Sequence, residues 1–60
     1  MEVMIMLNLD KMGKYIIVVL KSGAVVEGTL MYMDTDGFTL DGELCDITIE
    51  YNNVNDIEIL

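Results

Sequence analysis

Residues 13–42, GKYIIVVLKSGAVVEGTLMYMDTDGFTLDG, decide how this chain folds. The run YIIVVL at 15–20 is β-branched or aromatic at five of its six positions, the composition of a strand buried on both faces. Lys21-Ser22-Gly23-Ala24 then reads as a short turn, with Gly23 free to take a positive φ. A second strand is expected over about 24–33. Gly28 falls in its middle, where a missing side chain weakens pairing but permits a sharp bend or a close backbone approach. Asp34-Thr35-Asp36-Gly37 reads as a hairpin turn, its aspartates placed to accept nearby backbone amides and Gly37 able to take φ > 0. A short third strand follows at 38–41 and ends at Gly42.

Downstream, 45–50 alternates cleanly, with Cys45, Ile47 and Ile49 on one face and Asp46, Thr48 and Glu50 on the other. That pattern predicts a buried thiol at Cys45, far more in keeping with a structural role than with a nucleophile lacking a basic neighbour. Asn52-Asn53 marks a turn, and a last strand over about 54–59 points Ile57 and Ile59 inward and Asp56 and Glu58 to water. Five short strands within about 45 residues predict an all-β fold, a small, strongly bent antiparallel barrel of SH3-like or OB-like size. Residues 1–12 read two ways. Val3, Ile5, Leu7 and Leu9 alternate as in an extra strand, while Met4 and Leu7 with Ile5 and Leu9 also form a helical stripe, one without a capping residue before it. The whole of 1–60 is expected to be one domain, with the barrel over 13–60.

Composition bounds the function. The 60 residues hold eleven acids, three lysines and neither arginine nor histidine, for a formal net charge of −8. A domain this small buries only about 60% of its unfolded surface, yet 53% of its residues are hydrophobic. Some of that apolar surface needs a partner, and oligomerisation is the simplest source of one. One cysteine excludes an intrachain disulfide, and without histidine it argues against zinc, so neither metal nor cofactor is expected. Lacking His, Arg and Trp, the chain is poor in acid–base and nucleophilic groups, and no enzyme is expected. The apolar runs at 3–7 and 15–20 fall far short of the ~20 residues of a membrane-spanning helix. Glu2 stands where a secretory signal carries basic residues, and a cytoplasmic location is the expectation.

GKYIIVVLKSG at 13–23 resembles the opening of the Sm/LSm (Sm-like) family, whose first strand reads roughly G-K-x-V-x-V-x-L-K-x-G. GTLMYMDTDGFTL at 28–40 is similar to the rest of that family's first motif, G-x-L-x-x-(aromatic)-D followed by M-N-x-x-L, with Gly28, Leu30 and Asp34 in place. Met33 occupies the aromatic position, and a turn one residue shorter puts Gly37 where the asparagine would stand. IEYNNVNDI at 49–57 echoes the second motif, I-R-G-x-x-V-x-x-I. Ile49, Val54 and Ile57 keep its spacing, but Glu50 and Tyr51 replace the arginine and glycine. The resemblance implies a five-stranded Sm-like barrel (an SH3-like barrel) preceded by a short N-terminal helix. It further implies a homo-oligomeric ring of about five to seven subunits, joined by pairing of the fourth strand with the neighbour's fifth. RNA would be bound by loops around the pore.

Carried over residue by residue, the nucleic-acid-binding positions are Asp34, Thr35, Asp36 and Gly37 in one loop and Glu50, Tyr51, Asn52 and Asn53 in the other. Asp34 matches the family's loop-orienting aspartate. Glu50 places a negative charge where phosphate would approach. Tyr51 offers either a stacking face, worth about 1 to 3 kcal/mol per base, or a packing residue at a subunit interface. Lys11, Lys14 and Lys21 leave residues 1–21 at +1, whereas 22–60 carry nine acids and no base. On a shared face the lysines could meet phosphate; otherwise they serve solubility. An EF-hand reading of the acids from Asp34 fails, since Thr39 and Cys45 stand where glycine and glutamate are required. The expected function is thus a non-enzymatic Sm-like ring subunit that binds single-stranded nucleic acid, foremost RNA, in RNA or DNA processing or chaperoning. The alternative is a structural or protein-interaction module of the same barrel whose nucleic-acid pocket is lost.

Overall fold

The computed structural model describes residues 7 and 9–60. Its strands are β1 (Tyr15–Leu20), β2 (Val25–Met33), β3 (Gly37–Asp41), β4 (Asp46–Glu50) and β5 (Val54–Ile59). Two 3-10 turns accompany them, Leu9–Lys11 before β1 and Tyr51–Asn53 between β4 and β5. The expectation of a helix or strand over 1–12 falls mainly on residues outside the described ones. Among the described residues, no helix is long and apolar enough to cross a membrane.

All five strands join one antiparallel sheet in the order β4-β3-β2-β1-β5. Connectivity forces this sheet to curl. The register places the end of β4 about ten residues further along the strand direction than the start of β5, and four strand spacings away. Laid flat, those two points would be roughly 38 Å apart at ~3.3 Å per residue and ~4.8 Å per strand. Only Tyr51–Asn53 links them, a reach of at most about 14 Å. The bend is accommodated where β2 leaves β1 for β3. Register shifts occur between Leu30 and Tyr32 on β2, and between Val19 and Leu20 where β1 meets β5. Gly28 sits at that crossing, as expected of a close approach: a Cβ there would lie 2.8 Å from the Asp41 carbonyl oxygen. Among the described residues the curl stops short of closure, leaving β4 and β5 as the two edges of an open sheet.

The concave face holds the core. Ile16, Val18, Leu30, Phe38, Leu40, Ile49 and Val54 are buried there with Leu7, and Leu20, Val26, Met33, Ile47, Tyr51, Ile57 and Ile59 pack around them half-buried. β1 departs from the expectation of burial on both faces. Ile16 and Val18 are fully buried, but Tyr15 is exposed and Ile17 and Val19 only half-buried. Among the described residues no second layer covers the convex face, so outward side chains are shielded only by their neighbours in the sheet.

Two further expectations are corrected. Cys45 is exposed, not buried. The β3–β4 ladder ends at Asp41 opposite Asp46, so Cys45 belongs to the turn at 42–45, where strand alternation no longer governs direction. Gly37 has no positive φ, unlike Gly23 at +96°. Its glycine is required by space, because a Cβ would collide with the Ile49 carbonyl oxygen and sit 2.9 Å from Glu50 Cα.

Candidate functional site

The curl brings the two loops of interest together. In the first, Asp34 Oδ1 accepts the amides of Asp36 and Gly37, both at 2.9 Å, and the Asp34 amide donates to the Gly37 carbonyl at 2.9 Å. Asp34 therefore organises its own turn by local side-chain bonding. In the second, the chain leaves β4 at Glu50 in extended conformation and makes the 3-10 turn Tyr51–Asn53. The Tyr51 amide donates to the Asp36 carbonyl at 3.0 Å, and Gly37 lies opposite Glu50 in the β3–β4 ladder. Asp34, Thr35, Asp36, Gly37, Glu50, Tyr51, Asn52 and Asn53 thus form one surface.

That surface is acidic, with Asp34, Asp36 and Glu50 exposed. The Tyr51 ring is half-buried and tilted against Phe38, with centroids 5.6 Å apart, an arrangement in which the two aromatic rings support each other. Burial, and secondarily the charge of Asp34, raise the Tyr51 phenol above its ordinary range. Within the chain, Tyr51 therefore packs one side of its ring on Phe38 and keeps part of it accessible.

The lysines do not form a single patch within one chain. Lys14 immediately precedes β1 and Lys21 immediately follows it, a separation of about 23 Å along an extended strand. The Lys11 carbonyl accepts the Lys14 amide and the Lys14 carbonyl accepts the Leu30 amide, each at 2.9 Å, which ties both residues to the middle of β2. Lys21 instead joins the loop surface through its backbone, its amide donating to the Asn53 carbonyl at 2.8 Å.

A second acidic place joins Asp41 and Glu43, which the sequence shows as part of the acidic run from Asp34, to Tyr15 and Glu27, which it does not connect with them. Tyr15, Glu27, Gly28, Asp41, Gly42 and Glu43 line an open cleft of about 560 Å³ on the convex side. There Tyr15 Oη donates to Glu27 Oε1 at 2.9 Å. This hydrogen bond foremost, then desolvation and the charges of Glu27 and Glu43, raises the Tyr15 phenol above its ordinary range. The available signal was the β1–β2 turn: its register pairs Ile17 with Glu27 and sets Tyr15 diagonally across from that carboxylate on the same face.

Chemically, both places offer carboxylates and phenols. Among the described residues, no three or more His, Cys, Asp or Glu side chains are grouped to hold a metal ion. No protein-family model, no curated protein and no solved structure matches this chain.

Proposed function

We propose that this chain is a non-enzymatic, cytoplasmic Sm-like subunit that assembles with copies of itself into a ring of about five to seven members and serves as a protein-interaction scaffold. The observation that carries this reading is the pair of open edges. Among the described residues β4 and β5 are both unpaired on one side, and each brings half-buried apolar side chains to the rim, Ile47 on β4 and Ile57 and Ile59 on β5. Joining β4 of one copy to β5 of the next continues the ladder, extends the core and leaves no edge exposed. The meeting of the 34–37 and 50–53 loops supports the Sm-like reading, because these are the loops that the resemblance pairs.

A second reading, binding of single-stranded nucleic acid, is favoured by that same convergence and by Lys21 at its border. Against it stand three exposed carboxylates, Asp34, Asp36 and Glu50, and a tyrosine ring already packed on Phe38. Fluorescence anisotropy with labelled uridine-rich RNA and homopolymeric DNA, at about 50 mM salt where phosphate contacts are strong, separates the two. The scaffold reading predicts no binding by the wild-type oligomer. Salt-sensitive binding that disappears when Lys11, Lys14 and Lys21 are all changed to glutamine, with the oligomer intact, would put the nucleic-acid reading in its place.

A further inference from the structure

We infer that self-assembly through the two open edges is gated by charge, repelled at low ionic strength and released by screening. The inference rests on the edge-pairing reading above. Side chains alternate with a period of two along a strand, so a ladder that keeps its apolar faces together also fixes what lies on the other face. On β4 the inward residues are Ile47 and Ile49, and on β5 they are Ile57 and Ile59. Every register that joins these strips therefore places Asp46, Thr48 and Glu50 of one copy on the same outward face as Asp56 and Glu58 of the next. All five of these residues are exposed.

Across a ladder, same-face neighbours lie about 5 Å apart and diagonal ones about 7–8 Å. Both distances fall within the ~10 Å screening length of 0.1 M salt. Each seam thus gathers four carboxylates, and no countercharge stands on either strand, since residues 22–60 contain no base at all. Lys11 and Lys14 are tied to the middle of β2, and Lys21, two residues beyond the Val19 that pairs with Asp56, flanks only the start of β5, one cation against four carboxylates. Main-chain pairing and apolar contact favour the seam while like charge opposes it. Salt weakens only the opposing part, because screening shortens the reach of the carboxylates and leaves apolar burial at least as favourable. The salt response is then the reverse of that of an interface held by complementary charge.

Sedimentation equilibrium of the full chain at about 20 mM and about 500 mM NaCl, spanning screening lengths on either side of the ladder spacing, tests this. It is run on wild type and on the double variant Asp56→Asn, Glu58→Gln, whose changed side chains are exposed and outward. Wild type is expected to associate at least about tenfold more tightly at the higher salt. The double variant is expected to associate at least about tenfold more tightly than wild type at low salt, and to respond little to added salt. Wild-type association that ignores or weakens with salt, or a neutralised variant no tighter than wild type, overturns the inference while leaving the ring reading standing. Monomers of both proteins at both salts overturn edge pairing itself, and the inference with it.

Discussion

Changing Phe38→Ala is expected to remove about 3 to 5 kcal/mol of stability, the range for truncating a buried phenylalanine. At 60 residues the whole fold commands only roughly 3 to 9 kcal/mol, so the variant should be largely unfolded as a single chain. Phe38 is 1% exposed and is the largest of the fully buried side chains. It also stands directly after the 34–37 turn and beneath the Tyr51 ring, so its loss removes the floor of the loop surface as well as core volume. Phe38→Leu keeps most of the apolar bulk and should cost about 1 kcal/mol. Urea unfolding followed by circular dichroism checks both. A loss below about 1 kcal/mol for the alanine variant would mean that the concave core is not packed as described.

Gly37→Ala should be nearly as damaging for a different reason. Its φ is not positive, so the cost is not conformational. The added methyl would meet the Ile49 carbonyl oxygen across the β3–β4 ladder, and main chain cannot swing aside as a flexible side-chain tip can. Relief requires β4 to shift away from β3, and overpacking of this kind is expected to cost about 3 kcal/mol. Gly23→Ala provides the contrast: its φ is +96° but its surroundings are open, so only the left-handed penalty of about 1 to 2 kcal/mol applies. In matched urea titrations the Gly37 variant should unfold at the lower concentration. The reverse order would show that β3 and β4 are not in such close approach.

The strands were legible because hydrophobic runs, alternation and glycine punctuation all pointed the same way over 15–59. β1 begins and ends at Tyr15 and Leu20 as read, and β5 matches as well. Sequence and structure part where a local rule reaches the end of its element. Alternation governs only from Asp46, where the β4 ladder begins, and so does not reach Cys45. Gly37 is required by a neighbour 12 residues downstream, Ile49, and not by its own φ, and proximity of that kind is not written in local sequence. β1 composition suggested two covered faces, but coverage depends on what packs against a strand.

Loop convergence was visible only through the Sm-like resemblance. Its physical cause, three residues bridging opposite corners of the sheet, needs the strand order before it can be seen. Tyr51 was legible as an aromatic in the right loop, but its engagement with Phe38 depends on the curl. Charge sums foresaw the contrast between 1–21 and 22–60. They could not show that β1 holds Lys14 and Lys21 at opposite ends.

Multi-angle light scattering on the purified chain at micromolar concentration, in about 0.5 M salt so that screening falls below the ladder spacing, tests self-assembly through the open edges most directly. One chain weighs 6.7 kDa, and a ring of about five to seven copies would give a single species of roughly 34 to 47 kDa. A monodisperse 6.7 kDa species under these conditions would contradict it.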